Sequence, residues 1–207
     1  MRVLELFLAA SALCTSVFSA ALDDFESRPV FIPEWEVEVT PGGDKVRLNG
    51  TIQQVHQELL SLNPNWDKDF GLGDKVEAPS DETHGQLAKR TDFSNSKYFC
   101  GGRWQYCNGG AIAEGRAYLY RVPGRPTNGA GPGACGRVSC SYNAAIWWCN
   151  DDKQPKTLNS FGSIADGVYE LEKHCRKYFS WNPSGVSIAG QIFHETNWNV
   201  IVRKDKC

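Results

Sequence analysis

His174 and His194 are the only histidines after residue 90, and with Glu195 they are the side chains best suited to acid and base chemistry near neutral pH. With Arg137 or Arg203 to steady developing charge, such a set would suit a small ribonuclease-like hydrolase. Their local settings argue for structural roles instead. His174 lies in a helical stretch beside Cys175, and His194 falls in a polar turn, so no catalytic residue is expected. No serine nucleophile motif is present. Residues 129–133 are rich in glycine but lack the Lys-Ser or Lys-Thr ending of a phosphate-binding loop, so they are turn chemistry.

What remains is the chemistry of sulfur and of peptide cleavage. Residues 1–20 read as a secretory signal peptide, with Arg2 as a positive start, an apolar run from Leu6 to Phe18, and small residues at Ser19-Ala20-Ala21. The run is too short to span a bilayer, which takes about 20 residues. Secretion decides how the cysteines are read. In an oxidising compartment Cys100, Cys107, Cys135, Cys140, Cys149, Cys175 and Cys207 are disulfide candidates. None of their spacings is the C-x-x-C of a zinc knuckle, so no metal and no cofactor is expected. Three bridges leave one sulfur over. A buried free thiol is the favoured reading over an intermolecular bridge, because cysteine is among the most readily buried residue types.

Leu87-Ala88-Lys89-Arg90 divides the chain into two chemistries. Residues 21–90 contain no cysteine and carry 14 acidic against 7 basic residues, a net charge of −7; residues 91–207 carry 14 basic against 9 acidic, a net charge of +5. The dibasic pair follows the polar stretch 78–86, which has little to bury and would lie open to a kexin-type processing protease. The expected organisation is a signal peptide (1–20), an acidic pro-segment (21–90) and a mature cysteine-rich domain (91–207) of 117 residues, long enough for one domain.

The elements that must position these residues follow from periodicity. In the pro-segment, 36–40 and 45–48 alternate apolar and polar residues around Pro41-Gly42-Gly43-Asp44, which predicts a hairpin. Thr51 and Gln54 form a capping-box pattern opening a helix with Ile52, Val55, Leu59 and Leu62 on one face. Asn49-Gly50-Thr51 is a glycosylation candidate at Asn49. After the dibasic pair, Ile112, Gly115, Leu119 and Val122 predict a helix from about Gly109 to Pro123, and the Gly- and Pro-rich residues 123–133 predict an irregular loop. Residues 136–142 and 145–149 read as a hairpin across Asn143-Ala144. A second helix, with Ser163 as its N-cap, carries an apolar stripe of Ile164, Val168, Leu171 and Cys175, with Glu172 and Arg176 as a solvated pair. Residues 186–193 and 198–202 make a last hairpin. The resulting fold class is α+β, a small two-layer sandwich of two helices on an antiparallel sheet, stapled by disulfides.

The run from Cys135 to Asp151 (CGRVSCSYNAAIWWCND), the distal Gly190-Gln191-Ile192-Phe193 and Asn197-Trp198-Asn199-Val200-Ile201-Val202, and the signal and Lys-Arg leader together resemble a family of small secreted cysteine-rich proteins of filamentous fungi. That family is known mostly as candidate effectors. At the level of fold the pattern is more distantly similar to the killer toxins of smut fungi, some of them released by a kexin-type protease. The resemblance implies a secreted, extracellular effector or toxin-like factor, although the cysteine count departs from those toxins and none of their residues carries over by position. Adjacent Trp147 and Trp148 must point to opposite faces of a strand, so one is expected beneath the helices and the other on a contact surface. Trp147, Trp148, Trp198 and Arg137 are therefore the binding-surface candidates, with Trp104 and Trp181 further ones. They would meet a host or competitor cell-surface target, whether protein, glycan or membrane. The charge of +5 permits an anionic surface without calling for nucleic acid. A cell-wall-associated binding protein is an alternative.

Overall fold

The computed structural model describes residues 30–72, 90–179 and 185–207, so the signal sequence, Lys89 and Trp181 lie outside the described residues. The acidic segment supplies β1 (Val30–Phe31), the hairpin β2 (Glu34–Glu38) and β3 (Lys45–Asn49), helix α1 (Ile52–Leu62) and the single turn α2 (Trp66–Asp69). Next come β4 (Lys97–Cys100), β5 (Cys107–Asn108), α3 (Gly109–Arg121), β6 (Thr127–Asn128), β7 (Ala134–Ser141) and β8 (Ala144–Asn150). The chain ends with β9 (Lys156–Thr157), α4 (Gly162–Cys175), β10 (Arg176–Tyr178), β11 (Val186–Ile188), β12 (Gly190–His194) and β13 (Trp198–Lys204).

The protein is α+β, but it is not the simple two-helix sandwich that the periodicity of 91–207 predicts. The described residues hold four helices and three sheets, ordered β1-β7-β8-β13-β12-β4, β10-β11-β5 and β3-β2-β6-β9. The difference arises because residues 30–72 build into the same body. β1 adds a parallel edge strand beside β7, β2 reaches β6 through Glu34 and Thr127, and Trp35, Val37, Leu48, Ile52, Val55, Leu59 and Trp66 share one core with Val138, Trp148, Phe161 and Leu171. A change of charge and cysteine content thus coincides with no break in packing.

Local expectations hold where periodicity alone decides them. Gln54 accepts a hydrogen bond from the Thr51 backbone N–H at 2.8 Å, and Ile52, Val55 and Leu59 are buried, while Leu62 remains exposed. The stripes on α3 and α4 face the sheet. Gly115 permits the close approach of α3, since a Cβ there would lie 2.6 Å from Ser139 Oγ; Gly167 does the same for α4, at 2.8 Å from Val200 Cγ2. Three details differ. The β7–β8 turn is centred on Tyr142 and Asn143, both with positive φ (49° and 57°), one residue earlier than expected, the left-handed pair that a tight hairpin requires. Phe161, not Ser163, caps α4, because the chain already turns at Ser160, whose carbonyl accepts from Ser163 N at 3.2 Å. Within the 123–133 loop, Thr127–Asn128 pairs with β9 as a short strand.

Glu172 is also misplaced by a reading from spacing alone. It is not on a solvated face but 4% exposed, with its Oε2 3.0 Å from Arg116 Nε on α3 and 3.2 Å from Arg176 Nη2. Burial pushes its carboxyl above the ordinary range, while the two guanidinium groups oppose that shift.

Candidate binding face and processing junction

Three disulfides form among the seven described cysteines: Cys100–Cys175 joins β4 to the end of α4, Cys135–Cys149 crosses β7 and β8, and Cys140–Cys207 ties the C-terminus to β7. These bonds fit an extracellular protein. Cys107 is the free cysteine, buried, with its thiol donating to the Ile188 carbonyl at 3.3 Å. Burial pushes its pKa up from 9.0 to about 12. Among the seven described cysteines, a thiol reagent at pH 8 should therefore find no reactive sulfur in the folded protein and one, Cys107, after denaturation; fast native labelling of Cys107 would contradict the burial. Since the folded value lies above the unfolded one, the stability Cys107 contributes is fully present below about pH 9 and is lost as pH rises towards 12.

The two faces of the six-stranded sheet are built differently. Ile146 and Trp148 of β8 and Val200 and Val202 of β13 point beneath the helices, whereas Ala145, Trp147, Cys149 and Ile201 lie on the opposite face with Trp104. The alternation expected for Trp147 and Trp148 is present, but the exposure expected of the binding candidates is not. Trp148 is 0%, Trp198 2% and Trp147 5% exposed. Trp198 stacks on His194 (4.8 Å) and meets Phe93 edge-on (5.3 Å). Trp147 is covered by cations and by the C-terminal tail. The Arg137 and Arg203 guanidinium groups lie 5.9 and 5.4 Å from its ring centroid, and its Nε1 donates to Asp205 Oδ2 at 3.1 Å. Arg203 and Arg103 lie over Trp104 at 5.5 and 5.6 Å. What this face offers outward is thus the arginine edge, Arg103 exposed and Arg137 and Arg203 half-buried, with aromatic rings behind it that hold the guanidinium planes in place. Arg137 Nη1 also donates to the Lys206 carbonyl, 2.6 Å away.

Beside this layer runs a buried polar chain. Trp104 Nε1 donates to Gln191 Oε1 (3.2 Å), Gln191 Nε2 to Asn199 Oδ1 (2.8 Å), and Asn199 Nδ2 to Asp151 Oδ2 (2.7 Å). It joins β12 and β13 to the loops that hold Trp104 and Asp151 by satisfied bonds and so stiffens the face.

His174 and His194 have separate surroundings. His174 stacks on Tyr98 at 4.4 Å, near Glu170, while His194 packs against Phe93 and Trp198 and bonds to Thr196 Oγ1 at 2.9 Å. Burial lowers the His194 pKa, and Glu195 opposes that shift. A histidine cluster that the sequence does not signal lies elsewhere. His56 Nε2 is 2.6 Å from Asp67 Oδ1, and Tyr118 OH is 2.9 Å from His56 Nδ1. Tyr118 comes from α3, so this chain of bonds joins the acidic segment to the basic one. Burial and Asp67 push the Tyr118 pKa up, so the phenol is neutral and serves the contact as a hydrogen-bonding group.

At the junction, Arg90 is exposed and Thr91 half-buried. Asn49 is exposed at the end of β3, open to the modification its motif allows.

No family model, no curated protein and no solved structure matches this chain. The class that fold and site define is a cystine-stapled α+β protein with an arginine-edged aromatic face.

Proposed function

We propose that this chain is a secreted effector or killer-toxin-like protein, released by a kexin-type protease after Lys89-Arg90, that acts outside the cell by binding a host or competitor surface. The observation that carries this reading is the Arg137–Trp147–Arg203–Trp104 layer, locked at its margins by Cys135–Cys149 and Cys140–Cys207. A rigid, cationic, aromatic-backed surface suits an anionic or planar partner, while the bridges suit survival outside the cell. The separation of His174 and His194 into unrelated packing sites supports binding over catalysis.

The test is retention of labelled protein on intact cells, after the mass of the secreted form is checked for a start at Thr91. Arg137→Glu should weaken retention about tenfold or more, equivalent to about 1.4 kcal/mol, while His174→Ala and His194→Ala leave it unchanged. Hydrolysis of RNA that disappears in the two histidine variants would replace this reading with the ribonuclease one. Retention on wall fragments alone would favour wall association.

A further inference from the structure

Phe93 is 4% exposed and packs between α4 and the last hairpin: its ring centroid lies 5.3 Å from Trp198 and 5.1 Å from His194, and it abuts Gly167. That anchor fixes the chain three residues after the dibasic pair. Next to Gly167, Asp166 is 7% exposed, and its Oδ2 accepts the Thr91 backbone N–H at 2.8 Å while Oδ1 accepts the Tyr120 hydroxyl at 2.9 Å. Arg90 lies outward, its guanidinium 5.8 Å from the Tyr169 ring.

We propose that Asp166 is a receptor for the N-terminus created by cutting after Arg90, the α-ammonium of Thr91 pairing with the carboxylate where the amide now stands. This rests on the processing reading above. The chemistry balances with water alone. The protease breaks the Arg90–Thr91 C–N bond, the hydroxyl of water joins the Arg90 carbonyl carbon, and hydrogen joins the Thr91 nitrogen. At neutral pH that nitrogen takes up a proton and the new Arg90 carboxyl releases one. A neutral donor to a desolvated carboxylate becomes a cationic donor, the stronger kind of hydrogen bond. Burial raises the Asp166 pKa in the uncut chain, and a cation at Thr91 would offset that. The charged and titratable groups around the pair are Glu170, Tyr169 and Lys173 of α4, Tyr120 and Arg116 of α3, and Arg90 and Asp92 in the chain itself.

The experiment cuts the full-length protein with a kexin-type protease and, in parallel, a variant whose residues 86–90 are replaced by an enteropeptidase sequence that also leaves Thr91 first. Acetic anhydride labelling of the Thr91 amine is then followed against pH, folded and in urea. A carboxylate partner raises the amine pKa, so protection is complete below the unfolded value of about 8 and is lost as pH rises through the higher folded one. The folded profile should lie at least one unit above the urea profile, about a tenfold lower rate at pH 7 and below, and Asp166→Asn should abolish the shift. Overlapping folded and urea profiles in the wild-type cut protein would overturn the site whether or not Asp166→Asn folds. Resistance of the native bond to the kexin-type protease, with a shifted profile in the enteropeptidase form, would sink the processing reading and leave the Asp166 site standing.

Discussion

Trp35→Ala should lower the free energy of unfolding by about 3–5 kcal/mol, the range for emptying a buried aromatic site. Trp35 is fully buried, stacks on Phe161 with ring centroids 3.8 Å apart, and donates from Nε1 to the Gly50 carbonyl at 2.8 Å. It comes from the acidic segment and Phe161 from the basic one, so the loss falls on the seam between them. A cut after Arg90 leaves no disulfide across that seam, because residues 21–90 contain no cysteine. The two cut pieces should therefore co-elute from a sizing column in the wild type and separate in Trp35→Ala. Gln53 adds polar contacts to the same seam, donating to Ser139 Oγ at 2.8 Å and accepting from Cys140 N at 3.1 Å. An unfolding free energy from urea within about 1 kcal/mol of wild type would mean that Phe161 finds other cover.

Replacing Cys100 and Cys175 together by serine should cost about 4 kcal/mol, because that bridge closes a loop of 75 residues. Replacing Cys135 and Cys149 should cost less, about 3 kcal/mol, since only 14 residues separate them. The two positions are also already neighbours in the β7–β8 ladder, so strand pairing holds them together without the bond. Thermal or urea unfolding of the two double variants decides the order. A larger loss for Cys135 and Cys149 would show that native-state strain or residual structure in the unfolded chain, not loop length, governs these bridges.

The short-range features were legible in the order of the residues. Apolar spacing located α1, α3, α4 and the first two hairpins to within about two residues, because a helix or strand of one period can turn only one set of its side chains inward; in the last hairpin the run 186–193 splits, Val186–Ile188 pairing with β10 and β5 and only Gly190–His194 with β13. The count of seven cysteines after residue 90 required an unpaired sulfur if bridges formed within one chain. What covers each face depends on long-range packing. Trp147 and Trp148 could be placed on opposite sides from their adjacency, but the burial of Trp147 depends on Arg137, Arg203 and Asp205, which come from β7, β13 and the C-terminal tail. Glu172 and Arg176 had the spacing of a surface pair, yet Arg116, 56 positions before Glu172, turns that pair into a buried triad. Charge and cysteine content likewise marked residue 90 as a boundary, while Trp35, Gln53 and His56 reach across it into the core and onto α3 and β7. Periodicity records which side of an element is apolar. It carries no record of the distant segment that side will meet, and that meeting places Thr91 against Asp166, 75 residues along the chain.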